Sequence, residues 1–326
     1  MAGNGSCRVV VTRALPEPVV ELFRQSHTCW VNPDERSLRP DEIVQRATIH
    51  RADLLVVMAM DRVDAALIAA LPDTVQVVAT YSVGHDHIDL AAARARGIAV
   101  LSTPDVLSDA VADIGILLLL GAARRAQEGM RLIYDRAWTG WSPTQLVGRD
   151  LTGGRLGIVG MGRIGRAIAR RARHGFGMDV HYHNRSRLAP ALEDGATFHP
   201  APDDLFPLSD FLMLAAPATP ATRGMLDARR IGLLPPGAVV ANVSRGDLVD
   251  DDALIAALGT GRVMAAGLDV FRGEPDIHKG YLALPNVFLQ PHQGSSTIET
   301  RLRMGAMLLD SVARLRAGDA VANRLA

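Results

Sequence analysis

The chain is nearly devoid of cysteine, with only Cys7 and Cys29 among 326 residues. Two thiols without a CxxC spacing build neither a disulfide framework nor a thiolate metal site. They read as reduced structural thiols of a cytoplasmic protein. There is also no excess of charge: 35 Lys and Arg balance 35 Asp and Glu. No net field therefore draws in nucleic acid or an anionic membrane. A local run of arginines (Arg163, Arg166, Arg170, Arg171, Arg173) has the spacing of a solvated helix face. Long apolar runs are missing too. The longest uncharged one, Ile114 to Ala123, falls well short of the roughly 20 residues that cross a bilayer. The N-terminus lacks the basic, apolar, small-residue order of a signal peptide. Repeats and low-complexity tracts are absent. What is present is an ordinary globular composition, 48 % hydrophobic and 21 % charged, in a chain long enough for two domains.

Short apolar runs alternate with helix-like stretches, the pattern of a parallel sheet with right-handed crossovers. A first series of strands is expected at Arg8–Thr12, Asp53–Val57, Val75–Ala79 and Ile98–Leu101, with helices such as Arg62–Ala70 and Leu90–Ala95 between them. A second series follows Gly153-Gly154: Leu156–Val159, Asp179–His183, Phe211–Leu214, Ala238–Val243, Met264–Val270 and Val287–Leu289. Most are apolar at consecutive positions, as strands buried on both faces should be. A helix from about Ser108 to Leu132 is expected to link the two series, its apolar surface covered by the core or by another subunit. A last helix, about Ser296 to Arg316, could cross back to complete the first domain.

Between the first strand of the second series and its helix lies Gly160-Met-Gly162-Arg163-Ile164-Gly165. In a strand–turn–helix setting, a GxGxxG signals a dinucleotide site. The first glycine makes the tight turn, the second admits the pyrophosphate, and the third lets helix and strand pack closely. The helix N-terminus supplies amides and a positive dipole. An NAD site places an acidic residue about 20 positions on, to accept from the ribose 2′-hydroxyl. Here the second strand ends in Asn184, Arg185, Ser186 and Arg187. A neutral residue followed by guanidinium groups and a hydroxyl suits a 2′-phosphate, so NADP(H) is the expected cofactor, with NAD(H) accepted at lower affinity.

Three further stretches carry chemistry at or just past strand-like runs: Asn242-Val-Ser-Arg245-Gly246, Asp269-Val-Phe-Arg-Gly-Glu274-Pro275 and Pro291-His292-Gln-Gly294-Ser295. Reduction of a 2-keto acid by hydride transfer needs a cation for the carboxylate, a proton donor for the carbonyl and an acid to tune that donor. Arg245 has the planar fork for the first task. His292 suits the second and Glu274, by favouring the imidazolium, the third.

These motifs, in this order, resemble the D-isomer-specific 2-hydroxyacid dehydrogenases, most closely their NADPH-dependent glyoxylate/hydroxypyruvate reductase branch. The resemblance runs from Val77-Val-Ala-Thr-Tyr-Ser-Val83-Gly84-His-Asp86-His-Ile-Asp89 to Pro291–Ser295. It implies an α/β fold of two Rossmann-like domains with parallel sheets, one flavodoxin-like and substrate-binding (1–105 plus 296–326), one binding NADP (106–295), with the active site in a cleft between them. It implies Arg245, Glu274 and His292 as the catalytic set, and substrate contacts from the backbone amides of Val83 and Gly84. Val111, Pro217, Val243, Asp269 and Gly294 are then expected near the nicotinamide, Asp269 as carboxamide partner or supporting acid. A homodimer is implied, in which Trp138 and Trp141 pack at the subunit interface or Trp141 reaches the partner's substrate pocket. The activity implied is reduction of glyoxylate to glycolate and of hydroxypyruvate to D-glycerate.

Two alternatives stay open: a bulkier 2-keto acid, selected by side chains near Met58 and Met60, or a nucleotide-sensing corepressor-like protein without turnover. The absence of a lysine at Val83 argues against phosphite as substrate. The short N-terminal region argues against a formate dehydrogenase. His85-Asp86-His87 reads as a loop-to-helix turn and no metal is expected.

Overall fold

The computed structural model describes residues 6–326. The chain separates into two compact units, one of residues 1–107 with 295–326 and the other of residues 108–294.

The first unit alternates strand and helix: β1 (Arg8–Val11), α1 (Glu17–Arg24), β2 (Thr28–Val31), α2 (Pro40–Ile49), β3 (Leu54–Val57), α3 (Ala65–Ala70), β4 (Val77–Thr80), α4 (Leu90–Ala95) and β5 (Ala99–Leu101). All pairings are parallel and the order is β2-β1-β3-β4-β5, a flavodoxin-like arrangement. β3 and β4 are buried at every position, which is why they read as unbroken apolar runs. Asp64 and Asp89 cap α3 and α4 by accepting from the amides of Leu67 and Ala92. The edge strand β2, with its partly exposed Cys29 and Trp30, has no such apolar signature.

The second unit opens with α5 (Ser108–Ala123) and α6 (Ala126–Tyr134). The single helix expected to Leu132 is thus two: Arg125 adopts a left-handed conformation (φ 53°) and breaks it. α5 begins where the first unit's residues end and is itself part of the second unit's core. A side chain at Gly115 would run into Ile168, and one at Gly121 into Phe288, so these glycines let α5 lie close against its neighbours. There follow β6 (Arg155–Val159), α7 (Arg163–Phe176), β7 (Asp179–His183), α8 (Pro190–Glu193), β8 (Thr197–His199), α9 (Pro202–Leu205), β9 (Phe211–Leu214), α10 (Ala228–Leu233), β10 (Ala238–Asn242), α11 (Asp251–Gly259), β11 (Val263–Leu268), α12 (Lys279–Ala283) and β12 (Val287–Leu289). The seven strands are parallel, in the order β12-β11-β10-β9-β6-β7-β8. The order reverses between β6 and β9, and ligands of such sheets bind beyond the strand ends at that point.

The chain then returns to the first unit as α13 (Ile298–Ala317), begun by Thr297, whose hydroxyl accepts from the Thr300 amide, and ended by Gly318 at φ 87°. Gly305 brings α13 against Val19 and Phe23 of α1. The C-terminal residues lie along β5, with the Leu325 amide donating to Val100 at 2.8 Å. No helix among the described residues is long and apolar enough to cross a membrane.

Candidate active site

The turn after β6 lies at the switch point. Gly160 has φ 97°, and a Cβ there would collide with the backbone of Ala215 and Ala216 beyond β9. A Cβ on Gly165 would strike the Gly160 carbonyl. Around Gly162, by contrast, space is open to 4 Å, and no side chain caps the first amides of α7, which begins at Arg163 and Ile164. Two glycines are therefore demanded by the protein's own packing. Gly162, the N-cap of α7, leaves open space at the start of that helix, which fits a pyrophosphate.

Beyond β7, the Asn184 side-chain oxygen accepts from the Met161 amide at 2.7 Å, tying this strand end to the glycine turn. Arg185, Ser186 and Arg187 are exposed. The two arginines differ. Arg187 donates from Nε and Nη2 to Glu193 at 2.8 and 3.0 Å, whereas Arg185 makes no ion pair among the described residues. Of the two guanidinium groups expected to suit a 2′-phosphate, that of Arg187 is engaged by a buried carboxylate. Glu193 also accepts from the Tyr182 hydroxyl at 2.6 Å. Arg187 and Tyr182 together hold its pKa down at about 2. Nothing in the sequence flags Glu193, which lies on a four-residue helix past the motif.

Of the proposed catalytic residues, Glu274 and His292 meet. Imidazole Nδ1 lies 2.7 Å from Glu274 Oε2, and the other carboxylate oxygen accepts from the Phe271 amide at 2.6 Å. The carboxylate fixes the proton on Nδ1 and turns Nε2 outward, on a side chain that is 38 % exposed. His292 has a left-handed backbone (φ 53°), a strained conformation for histidine. Asp269, only 1 % exposed, accounts for its persistence: its two oxygens accept from the amides of Gln293 and Gly294 at 2.8 and 2.9 Å. Burial pushes the Asp269 pKa up, and those amides and His292 oppose the rise. Arg245 follows β10. Its carbonyl is held by Asn242 Nδ2 at 2.9 Å and its Nη1 donates to the Ser244 carbonyl at 2.8 Å. A side chain at Gly246 would overlap the backbone of Phe271 and Arg272, so the Arg245 turn packs directly on the segment leading to Glu274.

Gly294 sits against Val111 and Asp269, so these three expected neighbours do come together. Val243 is buried and Pro217 exposed. In the first unit, nothing among the described residues accepts from the amides of Val83 or Gly84. No group of three metal-ligating side chains occurs among the described residues.

The family description "D-isomer specific 2-hydroxyacid dehydrogenase, NAD binding domain" matches residues 116–294. A glycerate dehydrogenase from Hyphomicrobium methylovorum is 42 % identical over 313 residues, covering 95 % of this chain and 96 % of the relative. The chain belongs to the D-isomer specific 2-hydroxyacid dehydrogenases. It is thus an oxidoreductase that binds a nicotinamide dinucleotide. A glyoxylate reductase from Thermococcus onnurineus is 38 % identical, with 96 % and 93 % of the two chains covered. Among solved structures, an NADPH-dependent glyoxylate/hydroxypyruvate reductase from Sinorhizobium meliloti, in complex with NADP and malonate, aligns at a TM-score of 0.85 and 31 % identity over 99 % of this chain and 97 % of its own. The two-domain α/β fold of parallel sheets expected from the sequence is that of the family.

Proposed function

We propose that the protein reduces glyoxylate to glycolate and hydroxypyruvate to D-glycerate, with NADPH preferred over NADH. The observation that carries this reading is the Phe271–Glu274–His292 arrangement, which holds imidazole Nδ1 and leaves Nε2 to act as a proton donor. The bound cofactor supplies hydride from its nicotinamide, the chemistry common to this family. The protein's part is to place charge and a proton. Arg245 pairs with the substrate carboxylate and polarises the adjacent carbonyl. Protonated His292 donates from Nε2 to the carbonyl oxygen, and Glu274 stabilises the imidazolium until it does so. The amides of Val83 and Gly84 are further donors for a carboxylate. Asp269 keeps His292 in place by holding the next two amides.

The names of the relatives support small 2-keto acids, and the unpaired Arg185 supports a 2′-phosphate. The exposed apolar residues Ile133, Tyr134, Trp138 and Trp141 support a homodimer. A panel of 2-keto acids of increasing size, assayed with NADPH and NADH, tests the proposal. Glyoxylate and hydroxypyruvate are expected to give the highest kcat/KM. A branched-chain keto acid outpacing both would show that the substrate has been misassigned.

A further inference from the structure

The proposed substrate loop is wired to a histidine that stands outside the catalytic set. Tyr81 to Gly84 follow β4, and five contacts hold them. The Tyr81 amide donates to the Val57 carbonyl at 2.8 Å, and its hydroxyl donates to the Arg301 carbonyl. The Ser82 carbonyl accepts from the Thr103 amide at 2.9 Å. Finally, Ser82 Oγ lies 2.6 Å from the Gly84 carbonyl and 2.6 Å from Thr80 Oγ1, which in turn lies 3.1 Å from His87 Nε2.

Counting protons gives this chain a direction. The Gly84 carbonyl can only accept, so the single Ser82 proton points at it. Ser82 Oγ must then accept from Thr80, which spends the Thr80 proton. Thr80 Oγ1 is left to accept, so His87 Nε2 carries the proton and donates. The order is His87 to Thr80 to Ser82 to Gly84, and every link depends on the one before it. Without the His87 donor, the Thr80 hydroxyl, buried at the end of β4, loses a partner. Two hydroxyl rotors then regain freedom next to the loop.

We infer that His87 is a positioning residue for 2-keto acid binding, which fixes through Thr80 and Ser82 the loop that presents the Val83 and Gly84 amides. This rests on the proposed reading of that loop as the carboxylate site. His87 touches no reacting atom, so its effect belongs in substrate affinity and not in the chemical step.

The test is steady-state kinetics of His87→Leu, Thr80→Val and His87→Gln with glyoxylate and NADPH. Glutamine sets an amide N–H about where Nε2 stands, whereas leucine has no donor. Loss of one donor link is expected to raise the KM for glyoxylate about five- to tenfold. The kcat and the KM for NADPH should stay within about twofold of the unaltered protein. His87→Gln should restore most of the loss. The double variant His87→Leu/Thr80→Val should be no worse than the poorer single one, because both cut one chain. An unchanged KM for glyoxylate in His87→Leu overturns the inference. So does a parallel loss of kcat and NADPH affinity, which marks general damage to the fold. No turnover of any 2-keto acid by the unaltered protein would instead remove the enzymatic reading, and this inference with it.

Discussion

Two arginines two positions apart on one exposed turn do different things. Arg187 is held by Glu193, whose second partner, Tyr182, is fully buried and also accepts from the Leu188 amide at 3.0 Å. The carboxylate neutralises Arg187 locally, so on the proposed reading the charge offered to a 2′-phosphate comes from Arg185. Arg185→Ala is therefore expected to lower the NADPH-over-NADH ratio of kcat/KM about tenfold or more, the scale of a lost charge-assisted contact. Arg187→Ala should leave the ratio within about threefold. Parallel kinetics with both cofactors decide it, and equal losses in the two variants would contradict the assignment. Residue types were legible here: Asn184 in place of an acid, then Arg-Ser-Arg. Their division of labour was not, because it is set by a glutamate on a different element. In the same way the sequence pointed to Glu274 and His292 as an acid–base pair. It did not show that Asp269 spends both oxygens on the loop carrying the histidine.

Among the elements, legibility followed burial. Central strands such as β3, β4 and β9 are buried at every position and announce themselves as apolar runs. The edge strands β2 and β8 are half-exposed and of mixed composition, and were not expected. The break between α5 and α6 was missed because Arg124-Arg125 carries no Gly or Pro to mark it. Ends of elements also depend on charge. Asp210, just before β9, accepts from Arg155 at the start of β6 and from Arg149, at 2.9 and 2.8 Å. Arg155, then burial in opposition, then Arg149 set its pKa, which comes down to about 2. A carboxylate depressed in the folded state stabilises it above the unfolded-state value near 4, and that contribution is lost as pH falls from about 4 towards 2. With the arginines half-exposed, the effect is about 1–2 kcal/mol. Asp210→Asn should thus lower the Tm at neutral pH and narrow the gap to the unaltered protein below about pH 3. Thermal melts across this range would show it, and a gap that stays constant down to that pH would contradict it.

At the scale of the whole molecule, each unit is a complete parallel sheet with its own buried core, Val10, Leu55 and Val78 in one and Leu212, Val240 and Leu268 in the other. Arg245, Glu274 and His292 follow β10, β11 and β12 of the second unit, at the edge where such sheets bind ligands. In the first unit, the loop after β4 carries the amides of Val83 and Gly84, for which the described residues offer no acceptor. α6 and the segment after it expose Met130, Ile133, Tyr134, Trp138, Trp141 and Val147, more apolar surface than scattered single residues would give, and the proposed homodimer rests on that exposure. The central claim is that these parts serve stereospecific reduction of a small 2-keto acid. It is tested most directly by incubating the protein with hydroxypyruvate and NADPH and determining the amount and chirality of the glycerate formed. The expected result is D-glycerate in step with the NADPH consumed; L-glycerate, or no consumption of NADPH with this or any other 2-keto acid, would contradict it.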